Sequence, residues 1–306
     1  MKKLVFCLSL CGLFWTGCTR EPKETLDEGR IEILFTANTQ ASLLKSTPTT
    51  AENNVTEIML IGVDGSGNVV TGGCTPASLT GADLTAALTV LGTSITVSKR
   101  VVTLYAIANP SSSLRTSANS LTTLSGLQGL TNSFAAPMPA SPFMMSGTGT
   151  VNHTAKTVAI ELIRAVAKID IRSGTTGFVI TSASVQSTPD LGYVFGRTPL
   201  VIPTSGMTRV NYGAVTSANP ILYAAESPGS ASGTSFNVTG SYDEKTATYN
   251  FRLTKLTSYI DIVRNTHYVV NINPVTEATC TITITIADWN DETSLDPIEI
   301  PYENFN

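Results

Sequence analysis

The sequence predicts an all-β protein built as two β-sandwich domains in tandem, with a few short helices in its loops. Three observations predict it. From Ile31 onward, apolar residues recur with period two, in short runs broken by Gly, Ser and Pro. Charged residues make up only 14% of the chain, against about 25% in an average domain. The longest β-like run also changes phase: Val158, Ile160 and Leu162 are apolar at even positions, Ala165, Ala167, Ile169 and Ile171 at odd ones. A regular strand cannot do this without a bulge or a move to another sheet, so the slip at Ile163-Arg164 reads as the crossing from a first to a second domain. With 306 residues, the chain is long enough for both.

Taken in order, Ile31, Ile33 and Phe35 alternate with Glu32, Leu34 and Thr36, giving a strand with one apolar face. A polar stretch follows to Asn54. The run Val55 to Asp64 is joined to Asn68–Thr71 through Asp64-Gly65-Ser66-Gly67-Asn68, a hairpin signal. The Asp, Ser and Asn of that loop also echo a calcium loop, but the downstream bidentate Glu is missing, and the turn is the better reading. Gly81–Leu91 and Ser117–Leu127 are expected to be short helices, capped by Thr80 and Thr116. Between them, Ile95–Ala108 reads as one long β-branched strand stopped by Asn109-Pro110. Phe134–Phe143, rich in Pro and Ala, is expected to be irregular. Further strands are expected at 178–186, 206–212, 220–225, 234–240, 247–254, 267–273 and 279–288. Trp289 is expected to plug the end of the last. Ile298, Ile300 and Tyr302 then share one face of an extended segment flanked by Pro297 and Pro301, and proline suits an edge or added strand.

The first residues bear on the compartment. Lys2 and Lys3 precede an apolar core, Leu4–Trp15, that is too short to span a bilayer, which takes about 20 residues. Thr16-Gly17-Cys18 is similar to the lipobox of bacterial lipoproteins, although Trp15 stands where an aliphatic residue is usual; a plain secretory signal is the competing reading. The expectation is a signal peptide over 1–17, acylation of Cys18 and a tether over 18–30, with more than one acyl chain because one alone anchors only marginally. Cleavage would also remove Cys7 and Cys11, leaving Cys74 and Cys280 besides Cys18. A disulfide between these two stays open on the count, but they fall in different expected domains, and buried thiols are the expectation.

Chemistry is hard to find. The formal net charge of −4 offers no basic field for nucleic acid. Two histidines, His153 and His267, leave little for metal or triad chemistry, and His267 reads as a hydrogen-bonded structural residue. No G-x-G-x-x-G, Walker A, H-E-x-x-H or G-x-S-x-G occurs, and Ser42-Leu43-Leu44-Lys45 matches S-x-x-K without its companion motifs. Carboxylates are too scattered to nominate a glycosidase pair.

Four segments carry a resemblance. Leu162–Ile169, Arg264-Asn265-Thr266-His267-Tyr268, Tyr105–Pro110 and Ala287-Asp288-Trp289 are together similar, in order and spacing, to fimbrillins, the lipoprotein pilins of type V pili. The resemblance implies two transthyretin-like β-sandwich domains, here 31–162 and 163–290, followed by a tail over 291–306. It implies a non-enzymatic pilus subunit serving adhesion, with no cofactor and no nucleic-acid partner. The expected location is the cell outer membrane, through the lipid anchor, and the fimbrium. It also implies an assembly route. A trypsin-like protease removes the first strand, and a C-terminal strand of a neighbouring pilin, in a homo- or heteropolymer, fills the groove by β-strand addition. On this sequence Ile31, Ile33 and Phe35 take the placeholder positions, and Ile298, Ile300 and Tyr302 the donor positions. Three buried anchors of this size are worth about 5–9 kcal/mol. Family members carry Arg after the first strand; here the next basic residue is Lys45, while Arg30 precedes the strand, so an uncleaved anchor-type subunit remains the other reading. A monomeric surface lipoprotein binding glycan or host protein is the alternative, and it would favour exposed aromatics that the sequence lacks.

Overall fold

The computed structural model describes residues 31–38, 51–88, 93–242, 244–255, 258–274, 280–288 and 298–301. The strands of its first half are β1 (Ile31–Asn38), β2 (Glu57–Asp64), β3 (Cys74–Thr75), β4 (Ser78–Thr80), β5 (Thr93–Val97), β6 (Val101–Ala108), β7 (Thr131–Ser133), β8 (Met145–Thr150), β9 (Thr157–Glu161) and β10 (Ile163–Arg164). Two sheets form from them, in the orders β3-β5-β1-β9 and β10-β8-β6-β2-β4. Their inner faces make one core: Ile95, Val97, Val158 and Ile160 pack against Ile58, Leu60, Leu104, Ala106 and Met145. These are the alternate positions of each strand, as a two-layer sandwich requires.

The second half follows with β11 (Val166–Ser173), β12 (Phe178–Gln186), β13 (Thr188–Pro189), β14 (Leu191–Tyr193), β15 (Arg209–Val210), β16 (Val215–Thr216), β17 (Ile221–Ala225), β18 (Ser235–Tyr242), β19 (Lys245–Phe251), β20 (Thr254–Lys255), β21 (Ser258–Tyr259), β22 (Thr266–Pro274), β23 (Cys280–Asp288) and β24 (Ile298–Pro301). Sheets β17-β11-β22-β23-β24 and β16-β12-β18-β19 face each other across a second core, in which Ile169, Ile171, Val270, Ile272 and Ile284 meet Phe178, Phe236, Val238, Tyr249 and Phe251. The phase slip seen in the sequence falls between β9, in the first sheet of the first sandwich, and β11, in the second sandwich. Between them Ile163-Arg164 still pairs with Ser146 and Met145 of β8.

A third core joins the sandwiches. Met59, Ile61 and Ile107, on the outer face of one sheet, pack with Leu114, Leu127, Phe134, Phe143 and Met144 from the connecting segments and with Val166, Val194, Phe195 and Ala225 from the second half. Across the same join β7 pairs with β14.

Several local expectations need correction. The run Ile95–Ala108 is not one strand but β5 and β6, folded back at Lys99-Arg100, where the Val101 N–H donates to the Ser98 carbonyl at 3.0 Å. The helix expected over Ser117–Leu127 is two helices, α2 (Ser112–Asn119) and α3 (Leu124–Gln128), which follow α1 (Gly81–Leu88) in the chain. Ser111 and Thr123, rather than Thr116, are their caps: each side-chain oxygen accepts from the N–H three residues on, the capping geometry. Thr116 lies inside α2 and donates to the Ser112 carbonyl. The expected 206–212 strand shrinks to β15, paired with β13. The Asp64 loop is a turn: the Asp64 carboxylate accepts from the Ser66 and Asn68 N–H groups at 2.9 and 2.8 Å.

Candidate functional site

Strand β1 lies inside its sheet, not at its edge. It runs antiparallel to β5, with Ile31 opposite Val97 and Ile33 opposite Ile95, and parallel to β9, with Phe35 beside Val158 and Ala37 beside Ile160. Each of these four neighbours is a core residue. The two ladders are staggered, five residue pairs each, so that only Leu34 and Phe35 have a partner on both sides. β9 ends the sheet, and its far wall is held by contact as well as pairing. A Cβ at Gly147 or Gly149 of β8 would collide with the carbonyls of Glu161 and Ala159, so the two glycines let the backbones of β8 and β9 touch directly.

The C-terminal segment that the sequence singled out sits elsewhere in the same chain. β24 is an edge strand on β23, with Ile298 opposite Ile284, Ile300 opposite Ile282 and Pro301 opposite Thr281. Of the expected site residues, Cys18, Lys45 and Tyr302 lie outside the described residues, as does Trp289. The two strands expected as placeholder and donor are both extended and paired, in different sheets.

Sequence reasoning missed what holds the stretch ahead of β2. Residues Ala51–Thr56 precede β2, and two of the four segments quoted above bind them directly, through Asn109 and through Arg164 and Lys168. Asn109 donates to the carbonyl of Asn54 at 2.9 Å and accepts from the Thr56 N–H at 2.8 Å. Arg164 is buried; its Nε donates to the Glu52 carbonyl at 3.3 Å, its Nη2 to the Asn53 side chain, and its Nη1 to Asn265 at 3.0 Å. The Glu52 carboxylate, 2% exposed, is the centre: Lys168 Nζ stands 3.0 and 3.2 Å from its two oxygens, and the Tyr223 hydroxyl donates to it at 2.6 Å. Burial and then the Glu52 charge push the Tyr223 phenol well above its usual range. A second buried pair closes the join nearby. Arg264 Nη2 donates to Glu226 at 2.5 Å and to the Tyr193 carbonyl at 2.6 Å, and Nη1 donates to the Val194 carbonyl at 2.9 Å. Only the positive φ of Asn109 and Asn265, at 51° and 55°, left a trace in the sequence, since Asn tolerates that region.

His267 is buried at 2% exposure, with Nε2 3.8 Å from Asp170, which also accepts from Arg172. Burial alone would raise the Asp170 carboxyl, but the neighbouring His267 and the bonds from Arg172 outweigh it and hold the group below the usual carboxylate range. Cys74 is a free, buried thiol, pushed up to about 12 by burial. Among the described residues no cluster of three His, Cys, Asp or Glu side chains could hold a metal, and no helix is long and apolar enough to cross a membrane.

No protein-family model and no curated protein matches this chain. Solved structures do. The tip fimbrial protein Mfa3 of Porphyromonas gingivalis, C-terminally truncated, aligns over 85% of this chain and 100% of its own, with a TM-score of 0.56 and 12% identity. The fold is shared with fimbrial proteins. A fimbrial assembly protein of Parabacteroides distasonis aligns over 87% of this chain and 99% of its own, at a TM-score of 0.53 and 15% identity. A candidate cell adhesion protein of Bacteroides eggerthii aligns over 77% and 89%, at 0.54 and 15%. At such identities the likeness is one of architecture.

Proposed function

We propose that the chain is a structural subunit of a surface fimbria serving adhesion, exported as a lipoprotein acylated on Cys18 and joined to its neighbours by strand exchange. In this reading a first domain over 31–162 and a second over 163–290 form the body, and 291–306 is the donor tail. A trypsin-like protease cuts at Lys45 and frees β1; the tail of a neighbouring pilin then takes its place.

The observation that carries the reading is the position of β1. It is the first of the described strands, yet it lies between two others. Its removal needs one cut and no unthreading, and opens a slot whose walls, β5 and β9, present unpaired backbone on both sides. Lys45 is the only basic residue between Arg30 and Lys99, which leaves a trypsin-like enzyme one place to make that cut between β1 and β2. The clamp on Ala51–Thr56 then keeps the new end from fraying into β2. Energetics favour the exchange: a strand in the slot gains up to five residue pairs with each wall, against the four that hold β24 to β23. At about 0.5–1.5 kcal/mol net for each hydrogen bond, the slot is the deeper site.

Protein cut at Lys45 is expected to form heat-labile, SDS-resistant ladders, and deletion of 291–306 is expected to abolish them. Mass spectrometry of surface-purified polymer should find the chain starting at Ser46. An intact Cys18 end in polymer, or ladders that survive the deletion, would overturn the reading. Monomer after both treatments would favour the surface lipoprotein that acts alone.

A further inference from the structure

The slot and the tail of this same chain do not match at one backbone position. In an extended strand the N–H and C=O of one residue face one neighbour and those of the next residue face the other. The core-side places in the slot are those of Ile31, Ile33, Phe35 and Ala37, which stand beside Val97, Ile95, Val158 and Ile160. A tail that offers Ile298, Ile300 and Tyr302 to those places sets Pro297 and Pro301 at even-numbered positions of the slot or just before it. Proline has no N–H to give.

Run in the direction of β1, the tail has two alignments that put all three anchors into the slot. With Ile298 in place of Ile31, Pro301 replaces Leu34, which is flanked by Ser94 of β5 and Thr157 of β9. Whichever wall the even positions face, one ladder bond is lost. With Ile298 in place of Ile33, Pro297 replaces Glu32, opposite Thr96 of β5, and Pro301 replaces Thr36, beside Ala159 of β9. All even positions face one wall, so one proline or the other loses its bond. Spaced four apart, the two prolines forfeit a hydrogen bond in both alignments. On β23 the same segment is an edge strand, where proline is ordinarily tolerated.

We infer that the slot between β5 and β9 is built for a proline-free strand with large apolar residues at i, i+2 and i+4, and that this chain's own tail is a detuned donor for it. The inference rests on the strand-exchange reading above and deepens it. The preferred partner on the slot side is a different subunit, so the chain belongs to a heteropolymer, and joints between its own copies are the weaker ones.

Synthetic peptides test this directly. A specific protease sequence is inserted after Lys45, the full-length protein is cut there, and β1 is displaced by labelled peptides of residues 291–306. Three forms are compared: native, Pro297→Ala with Pro301→Ala, and the same with N-methylalanine at both positions. The alanine peptide is expected to dissociate roughly 5- to 50-fold more slowly than the native one, the effect of restoring one bond to a buried acceptor. N-methylalanine again lacks the N–H and should return the rate to the native value. Equal rates for the native and alanine peptides would overturn the inference, as would an N-methyl peptide that stays as slow as the alanine one. If no peptide binds, strand exchange itself fails, and the inference with it.

Discussion

Replacing Glu52 with Ala tests the buried clamp most severely. The carboxylate is 2% exposed and takes contacts from Lys168 at 3.0 Å and from the Tyr223 hydroxyl at 2.6 Å. Its loss leaves the Lys168 ammonium, also buried, without the counter-charge that offsets its desolvation. Breaking a buried ion pair from one side costs about 3–5 kcal/mol, and the orphaned hydroxyl adds to it without full additivity. An expected loss of about 4 kcal/mol is a large share of the 5–15 kcal/mol that holds a typical domain together. Urea unfolding of a soluble Cys18→Ser form, followed by far-ultraviolet circular dichroism, measures it. The paired variant Glu52→Leu with Lys168→Met removes both charges and should recover most of the loss, because no ion is then left buried alone. A cost below about 1 kcal/mol for Glu52→Ala, or a paired variant as unstable as the single one, would refute the account of residues 51–56 as electrostatically fixed.

Other expectations follow from the same geometry. Since the folded Asp170 carboxyl titrates below its unfolded value of 3.8, its contribution is fully present above that pH and is lost as pH falls through the lower, folded value. Asp170→Asn should therefore flatten the acid limb of stability against pH below 3.8, read by chemical denaturation in steps of pH. Gly149→Val should push β9 off β8 and cost about 3 kcal/mol or more, visible as a lowered melting temperature, whereas Gly213→Ala, where a Cβ meets nothing, should cost far less. With its thiol pushed up to about 12 and buried, Cys74 should resist iodoacetamide in the folded protein and react within minutes in urea, as peptide mapping would show.

Much of the architecture is legible in the sequence because two-layer sandwiches write their faces as alternation. The even-to-odd shift around Ile163 is visible for that reason, and so is the strict Ile/Thr alternation of β23. Turns and caps are harder. In a chain this rich in Ser and Thr, Ser111, Thr116 and Thr123 look equally fit to cap a helix, and only the packing of Leu114, Ala118 and Leu127 selects among them. The fold-back at Lys99-Arg100 carries neither Gly nor Pro, so nothing local announces it. The clamp is invisible for another reason. Glu52 meets Lys168 and Tyr223 across 116 and 171 residues of chain, and no local periodicity records a partner that far away. The two candidate strands at the ends could be read from their alternating apolar teeth, but not that one lies between neighbours while the other sits on an edge.

The third core, where Met59, Ile61 and Ile107 meet Val194, Phe195 and Ala225, has a mechanical consequence. Two sandwiches welded by a shared apolar seam transmit load as a single stiff link, with little give at the waist. In the fibre proposed above, bending and yielding under shear would concentrate where one molecule ends and the next begins, so the compliance of the whole thread would be set by its couplings.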